Sequence, residues 1–138
     1  VIPPGHTKEV RIPQQVRNID IMPTLFSLVG LKFSPDMQSQ IQGESLLPLM
    51  EGKSLRLDIY PETVYRYATM QKAIRSADGW KLIYDEEMQT KKLFNITKDP
   101  GEQEDLYHQN SSQKTVLLEK LLQHIEGLQQ LRNQPKEM

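Results

Sequence analysis

The sequence predicts an α+β fold: a small antiparallel sheet of three or four strands packed with a long C-terminal helix, and preceded by a short helix. Three observations predict it. Apolar residues recur at helical spacing from Ile21 to Val29 and again from Val116 to Leu131. Between these stretches lie four short runs with strand character, the clearest alternating Trp80, Leu82 and Tyr84 with Lys81, Ile83 and Asp85. Turn residues punctuate the runs, with Asp78-Gly79 inside them and Asp99-Pro100-Gly101 after the last.

Each element has a local reason. Pro3, Pro4 and Pro13 keep residues 1–17 extended. Asp20 is expected to cap the first helix by accepting from the free amides of its first turn. Pro23 is tolerated there because its missing N–H needs no partner. Ile21, Leu25, Leu28 and Val29 form one stripe, and Gly30 supplies a left-handed stop. Residues 31–44, with Pro35, Asp36 and several Gln, read as loop. Ser45 then caps a short helical turn through Met50, ended by Gly52. Strands are expected at Asp58–Val64, Met70–Ser76, Gly79–Asp85 and Lys91–Ile96, with Asp78-Gly79 as a two-residue hairpin turn. Ser111 or Ser112 caps the last helix, which runs to about Arg132 before Pro135. Val116, Leu117, Leu121, Ile125, Leu128 and Leu131 make its apolar face, widened by Leu118 and Leu122.

Composition excludes several function classes. The chain has 138 residues and a net charge of −1, so it offers no electrostatic case for nucleic acid or an acidic membrane surface. Its apolar runs fall far short of a bilayer span. Val1-Ile2-Pro3-Pro4-Gly5 lacks the basic and apolar regions of a signal peptide and reads like the middle of a longer chain. Cysteine is absent, which removes disulfides, thiolate metal sites and cysteine nucleophiles together.

Few residues carry a chemical signal. His6, His108 and His124 are scattered without metal-site spacing, and each reads as a solvated surface residue. Lys72, Arg75 and Lys81 lie on neighbouring strands. They could meet a sulfated or phosphorylated glycan, but cross-strand pairing with Asp85, Glu86 and Glu87 is the preferred reading. Glu62, Tyr65, Arg66 and Tyr67 are more distinctive. A guanidinium between two aromatic rings suits an anionic or sugar-bearing substrate, through bidentate bonds and stacking. The plainer alternative has the tyrosines packed on the sheet and Arg66 in water. Asn95-Ile96-Thr97 and Asn110-Ser111-Ser112 fit the glycosylation pattern, which is common by chance.

Five segments recur in one order and spacing over about residues 1–107. They are Asn18-Ile19-Asp20-Ile21-Met22-Pro23-Thr24-Leu25, Gly43-Glu44-Ser45-Leu46-Leu47-Pro48-Leu49, Lys72-Ala73-Ile74-Arg75, Trp80-Lys81-Leu82-Ile83-Tyr84 and Lys98-Asp99-Pro100-Gly101-Glu102. Together they closely resemble the C-terminal portion of sulfatases, members of the alkaline-phosphatase-like superfamily. The resemblance implies that residues 1–55 are the tail end of an α/β catalytic domain: an extended lead-in, a helix at 20–30 and a short helix at 45–51. Residues 56–138 would be a C-terminal subdomain, with its sheet at 58–96 and its helix at 112–132.

The reaction implied is hydrolysis of a sulfate ester by a formylglycine nucleophile with calcium or magnesium bound. Formylglycine arises within Cys/Ser-x-Pro-x-Arg, a pattern this chain lacks, and the family's metal-binding segments are missing as well. The expectation is therefore a non-catalytic portion that holds no metal or cofactor, closes the sheet edge and shapes the substrate pocket. In the family the loop after the strand like Ile59–Val64 turns toward the active-site mouth, which makes Glu62, Tyr65 and Arg66 the candidate substrate contacts. The expected partner is an N-terminal catalytic domain, and a homodimer through Ile21, Leu25, Leu28 and Val29 is the alternative use of that stripe. A periplasmic or secreted parent is the compartment the family suggests. Two other readings stay open: a phosphoryl or phosphoethanolamine transferase or phosphodiesterase of the same superfamily, and a free-standing non-catalytic interaction domain.

Overall fold

A computed structural model describes residues 11–65, 68–109 and 111–133. The chain divides into two units, Val1–Leu57 and Asp58–Met138.

The first unit is helical. A 3-10 turn at Asn18–Asp20 runs directly into α1, Ile21–Leu28. The end of α1 is a Schellman motif. Gly30, at φ 71°, lets its own N–H reach Ser27 O and that of Leu31 reach Phe26 O. The segment expected as loop contains a second helix, α2, Pro35–Gln40. Pro35 here starts a helix rather than blocking one, because Ser34 precedes it and accepts the Met37 N–H on its hydroxyl. The ring of Phe33, just before this cap, stacks on Phe26 with centroids 4.2 Å apart. The short helix α3, Leu47–Met50, follows Ser45 and stops before Gly52 at φ 80°.

The second unit is a four-stranded antiparallel sheet in the order β1-β2-β3-β4, carrying one long helix. The strands are β1 Glu62–Tyr65, β2 Ala68–Arg75, β3 Trp80–Asp85 and β4 Thr90–Asn95, and the helix is α4, Ser111–Asn133. This is the α+β class expected. The first strand starts four residues later than expected. Ile59 already bridges Arg75, but Pro61 has no N–H to continue the ladder and contributes only its carbonyl, to Ala73 N–H. The β2–β3 connection is also not the two-residue turn expected. Arg75 pairs with Lys81 and Ser76 donates to Trp80 O, which leaves Ala77, Asp78 and Gly79 as a three-residue loop. Only Gly79 takes positive φ, at 79°, and Ser76 O accepts its N–H: a type I turn closed by a bulge.

One face of the sheet is the core. Ile74, Leu82 and Leu93 form a single cross-strand row, and Leu117, Leu121 and Ile125 of α4 close over it. Trp80 and Tyr84 flank Leu82 on the same face, as the alternation requires, and both pack against this cluster. Trp80, at the start of β3, is half-buried. The helix offers a narrower face than its sequence suggested. Val116 and Leu122 are exposed, and the buried line runs through Leu117, Leu121 and Ile125.

Candidate functional site

Asp20 sits in the most recognisable motif, and its role differs from the expected cap. Its carboxylate turns back from the helix it precedes. It accepts from the Arg17 backbone N–H at 2.9 Å and from the Arg17 guanidinium, whose Nη2 lies 2.8 Å from Oδ1. Oδ1 also accepts from Glu44 N–H at 2.9 Å, 24 residues away. The side chain is 0 % exposed. Burial pushes its pKa up, but the hydrogen bonds from Arg17 and from the Glu44 and Arg17 backbone, with the Arg17 charge, outweigh burial and hold it below the ordinary carboxylate value.

A second clamp repeats this one turn later. Thr24 donates its hydroxyl to Asp20 O and accepts Leu46 N–H at 2.9 Å. Between the two clamps, Gly43 lies flat on the 3-10 turn. A Cβ there would come within 2.0 Å of Ile19 O, so only glycine fits. The residue types shared by the first two motifs are thus explained as one joint that seats 43–46 on 17–24.

The motifs of the second unit behave in the same way. Gly79 meets the Thr97 side chain where a Cβ would be 2.0 Å from Oγ1, and Gly79 O accepts Ile96 N–H. Lys81 forms an ion pair with Glu102 at 2.7 Å. Asp99 accepts the N–H groups of Gln103 and Glu104, and Asp105 accepts Leu93 N–H on the outer side of β4. Sequence reasoning did not find Asp105 or Arg17, and it gave Glu102 no partner. None lies within a strand or helix pattern; Asp105 and Glu102 reach Leu93 and Lys81, 12 and 21 residues away, while Arg17 acts on Asp20 three residues on.

The candidate substrate contacts fall on β1. Glu62 begins the strand, is exposed, and lies opposite Lys72. Tyr65 ends it, just past an irregular step in the register between Val64 and Tyr65. Arg66 and Tyr67 lie outside the described residues. Across the sheet from Glu62 runs the row Lys72, Tyr84 and Lys91. Lys72 pairs with Glu86 at 2.8 Å, Lys91 lies over the Tyr84 ring at 4.8 Å, and the Tyr84 hydroxyl donates to Gln89 Oε1 at 3.1 Å.

The three basic residues do not form one face. The register puts Lys72 on the helix side and Arg75 and Lys81 on the other, and both lysines are paired with carboxylates. His124 is not the solvated residue expected. It is half-buried and stacked on Tyr60, with centroids 4.0 Å apart and rings 15° from parallel. His108 is exposed, with its ring edge-on to Tyr107. Among the described residues, no group of three or more His, Asp or Glu side chains is placed to hold a metal ion. No helix of the described residues is long and apolar enough to cross a membrane.

The model of the N-sulphoglucosamine sulphohydrolase C-terminal family matches residues 2–133. The chain belongs to this sulfatase family. A sulfatase of Formosa agariphila is 27 % identical over 78 % of the chain, and an ulvan-active sulfatase of the same organism is 36 % identical over 55 %. The chain spans 21 % and 13 % of those two relatives. The fold recurs in a 2-O GAG sulfatase, with a TM-score of 0.58 and 22 % identity over 83 % of this chain. It recurs again in a protein solved in complex with its substrate D-glucosamine-2-N,6-O-disulfate, with a TM-score of 0.58 and 24 % identity over 86 % of this chain. In each case the match covers 25 % of the solved chain. The sulfatase C-terminal portion seen in the motifs is therefore shown.

Proposed function

We infer that this chain is the non-catalytic C-terminal portion of a hydrolase of sulfate esters, and that it supplies one wall of the substrate pocket. The observation that carries this reading is the family match across residues 2–133, joined to a span of only 21 % of the Formosa sulfatase. Sulfated saccharides are the favoured substrate class. One relative is described as ulvan-active, and one neighbour was solved with a disulfated glucosamine. The wall would be the end of β1 and the connection after it, where Glu62, Tyr65 and Arg66 are the proposed substrate contacts. Arg66 would meet a sulfate or carboxylate through paired N–H donors, with Tyr65 offering a sugar-stacking ring.

The residues present do not fit the calcium or magnesium ion and the formylglycine of such enzymes. No Cys/Ser-x-Pro-x-Arg pattern occurs, and no metal-binding cluster forms among the described residues. Those groups would belong to the rest of the enzyme, which is also the proposed partner of α1. Ile21 and Leu25 are exposed along one side of that helix, as is Val29 at its C-cap, while Leu28 is half-buried. The chain alone is expected to show no turnover of an aryl sulfate or an aryl phosphate with calcium, magnesium or zinc added, because there is no nucleophile to activate. In the full-length enzyme, Arg66→Ala is expected to raise KM or lower kcat/KM with little change in melting temperature. Metal-dependent turnover by the isolated chain, or unaltered kinetics of that variant on a sulfated saccharide, would overturn the corresponding half of the reading.

A further inference from the structure

We propose that the Tyr60–His124 stack is a pH-sensitive latch that fastens the segment leading into β1 onto α4, closed while the imidazole is neutral and loosened when it takes a proton. The proposal rests on the geometry of the second unit and does not depend on the reaction assigned above.

Two rungs join this segment to the helix, in matching steps. Asp58 and Tyr60 are two residues apart on extended chain and so point the same way. Lys120 and His124 are four apart on a helix and share a face. Asp58 pairs with Lys120 at 2.6 Å, and the Tyr60 ring lies nearly flat on His124 at 4.0 Å. The first rung is a fixed ion pair, since Asp58 holds the Lys120 ammonium charged over all ordinary pH. The second can change charge near neutrality, because histidine alone titrates there without perturbation.

The surroundings decide the direction. His124 is half-buried, so burial opposes its charged form first of all. Glu62 on β1 favours the charge, and Lys72 on β2 opposes it. Lys72 is itself neutralised by Glu86, and Glu62 is exposed and therefore screened. Lys120, one turn back on the same helix, is a like charge that Asp58 offsets. The imidazolium would also gain attraction from the Tyr60 face, which works against opening. Burial prevails, and His124 lies below histidine's ordinary 6.5. The folded state thus binds its proton less readily than the unfolded state. The latch is fully closed above 6.5 and is lost as pH falls from there through the folded value.

The segment it holds has its own reporters. Ile59 N–H donates to Arg75 O, Arg75 N–H to Ile59 O, and Ala73 N–H to Pro61 O. Amide exchange can be followed by NMR on the 138-residue chain between about pH 7.5 and about pH 5.5, with intrinsic rates divided out. The His124 ring resonances are recorded alongside. His124 is expected to titrate below 6.5, and acidification is expected to speed exchange at Ile59, Ala73 and Arg75 several-fold while the β3–β4 rungs hold. His124→Phe keeps a flat ring on Tyr60 and removes the proton, so its exchange is expected to be flat with pH. Tyr60→Leu opens the ring to water and is expected to move the His124 titration back up toward 6.5. Titration at or above 6.5 in the wild type would overturn the latch. So would a pH response that survives in His124→Phe, or a His124 titration unmoved by Tyr60→Leu.

Discussion

Asp20 shows how one residue type can be read correctly as structural and still be assigned the wrong partner. An acid just before a helix ordinarily satisfies the first-turn amides. Here those amides compete with Arg17, whose guanidinium and backbone both present donors from three residues upstream, and with Glu44 N–H brought over by Gly43. Two charge-assisted bonds and a long-range backbone donor outbid a local cap. Removing the carboxylate leaves Arg17, with only 15 % of its side chain exposed, to the longer 3.9 Å pairing with Glu44, and strands the Glu44 amide. Asp20→Ala is therefore expected to cost about 3–5 kcal/mol, the range for breaking a buried pair, and not the ~1 kcal/mol of a lost cap. Chemical denaturation separates the two. The same pair fixes the acid sensitivity. Because folding lowers the Asp20 pKa, its contribution is present above the unfolded value of 3.8 and is lost as pH falls through the folded value below it. The variant should accordingly lose less stability than wild type on titration through that range.

At the level of elements, the core rests on one row. Ile74, Leu82 and Leu93 stand side by side across three strands, and Leu82 is the middle member, fully buried and touched from above by α4. Leu82→Ala is expected to cost about 2–5 kcal/mol through a cavity that neither neighbour can fill. Met88→Ala, at the exposed tip of the next hairpin, should change a thermal melt very little. The row was legible because alternation on β3 sets which residues face inward, and the helix stripe sets what covers them. The elements that sequence reasoning missed have physical causes. Helix α2 depends on Ser34 and Pro35 cooperating at its first turn, against a composition that suggests loop. The β2–β3 loop takes three residues because only Gly79 needs positive φ, so an Asp-Gly pair does not by itself choose the shorter turn. The Tyr60–His124 stack joins residues 64 positions apart, and no local pattern announces it. The candidate site was the least legible part. Its central residue, Arg66, lies outside the described residues, and Glu62 gains meaning only from the row that pairing builds beside it.

The whole molecule carries an apolar surface larger than its own fold uses. Val16, Ile19, Ile21, Met22, Leu25, Val29 and Leu31 are all exposed in the first unit. Ile21 and Leu25 of α1 and Val29 at its C-cap follow at helical spacing and form the outward stripe, while Pro23 is buried. Fully burying each of these side chains is worth roughly 1.5–3 kcal/mol, so leaving them in water is a standing drive toward association. In the proposed parent enzyme the remaining four-fifths of the chain would cover them. Given this chain alone, the drive has one abundant complement, a second copy. A two-fold pairing of identical stripes is the closed solution that satisfies both copies at once. Sedimentation across a range of concentrations is therefore expected to show a monomer–dimer equilibrium. Leu25→Asp places a charge at the centre of the stripe and should shift the chain to monomer without lowering its melting temperature, since Leu25 is exposed in the single chain. A monomer at every concentration would defeat the dimer and favour the reading of a free-standing, non-catalytic module.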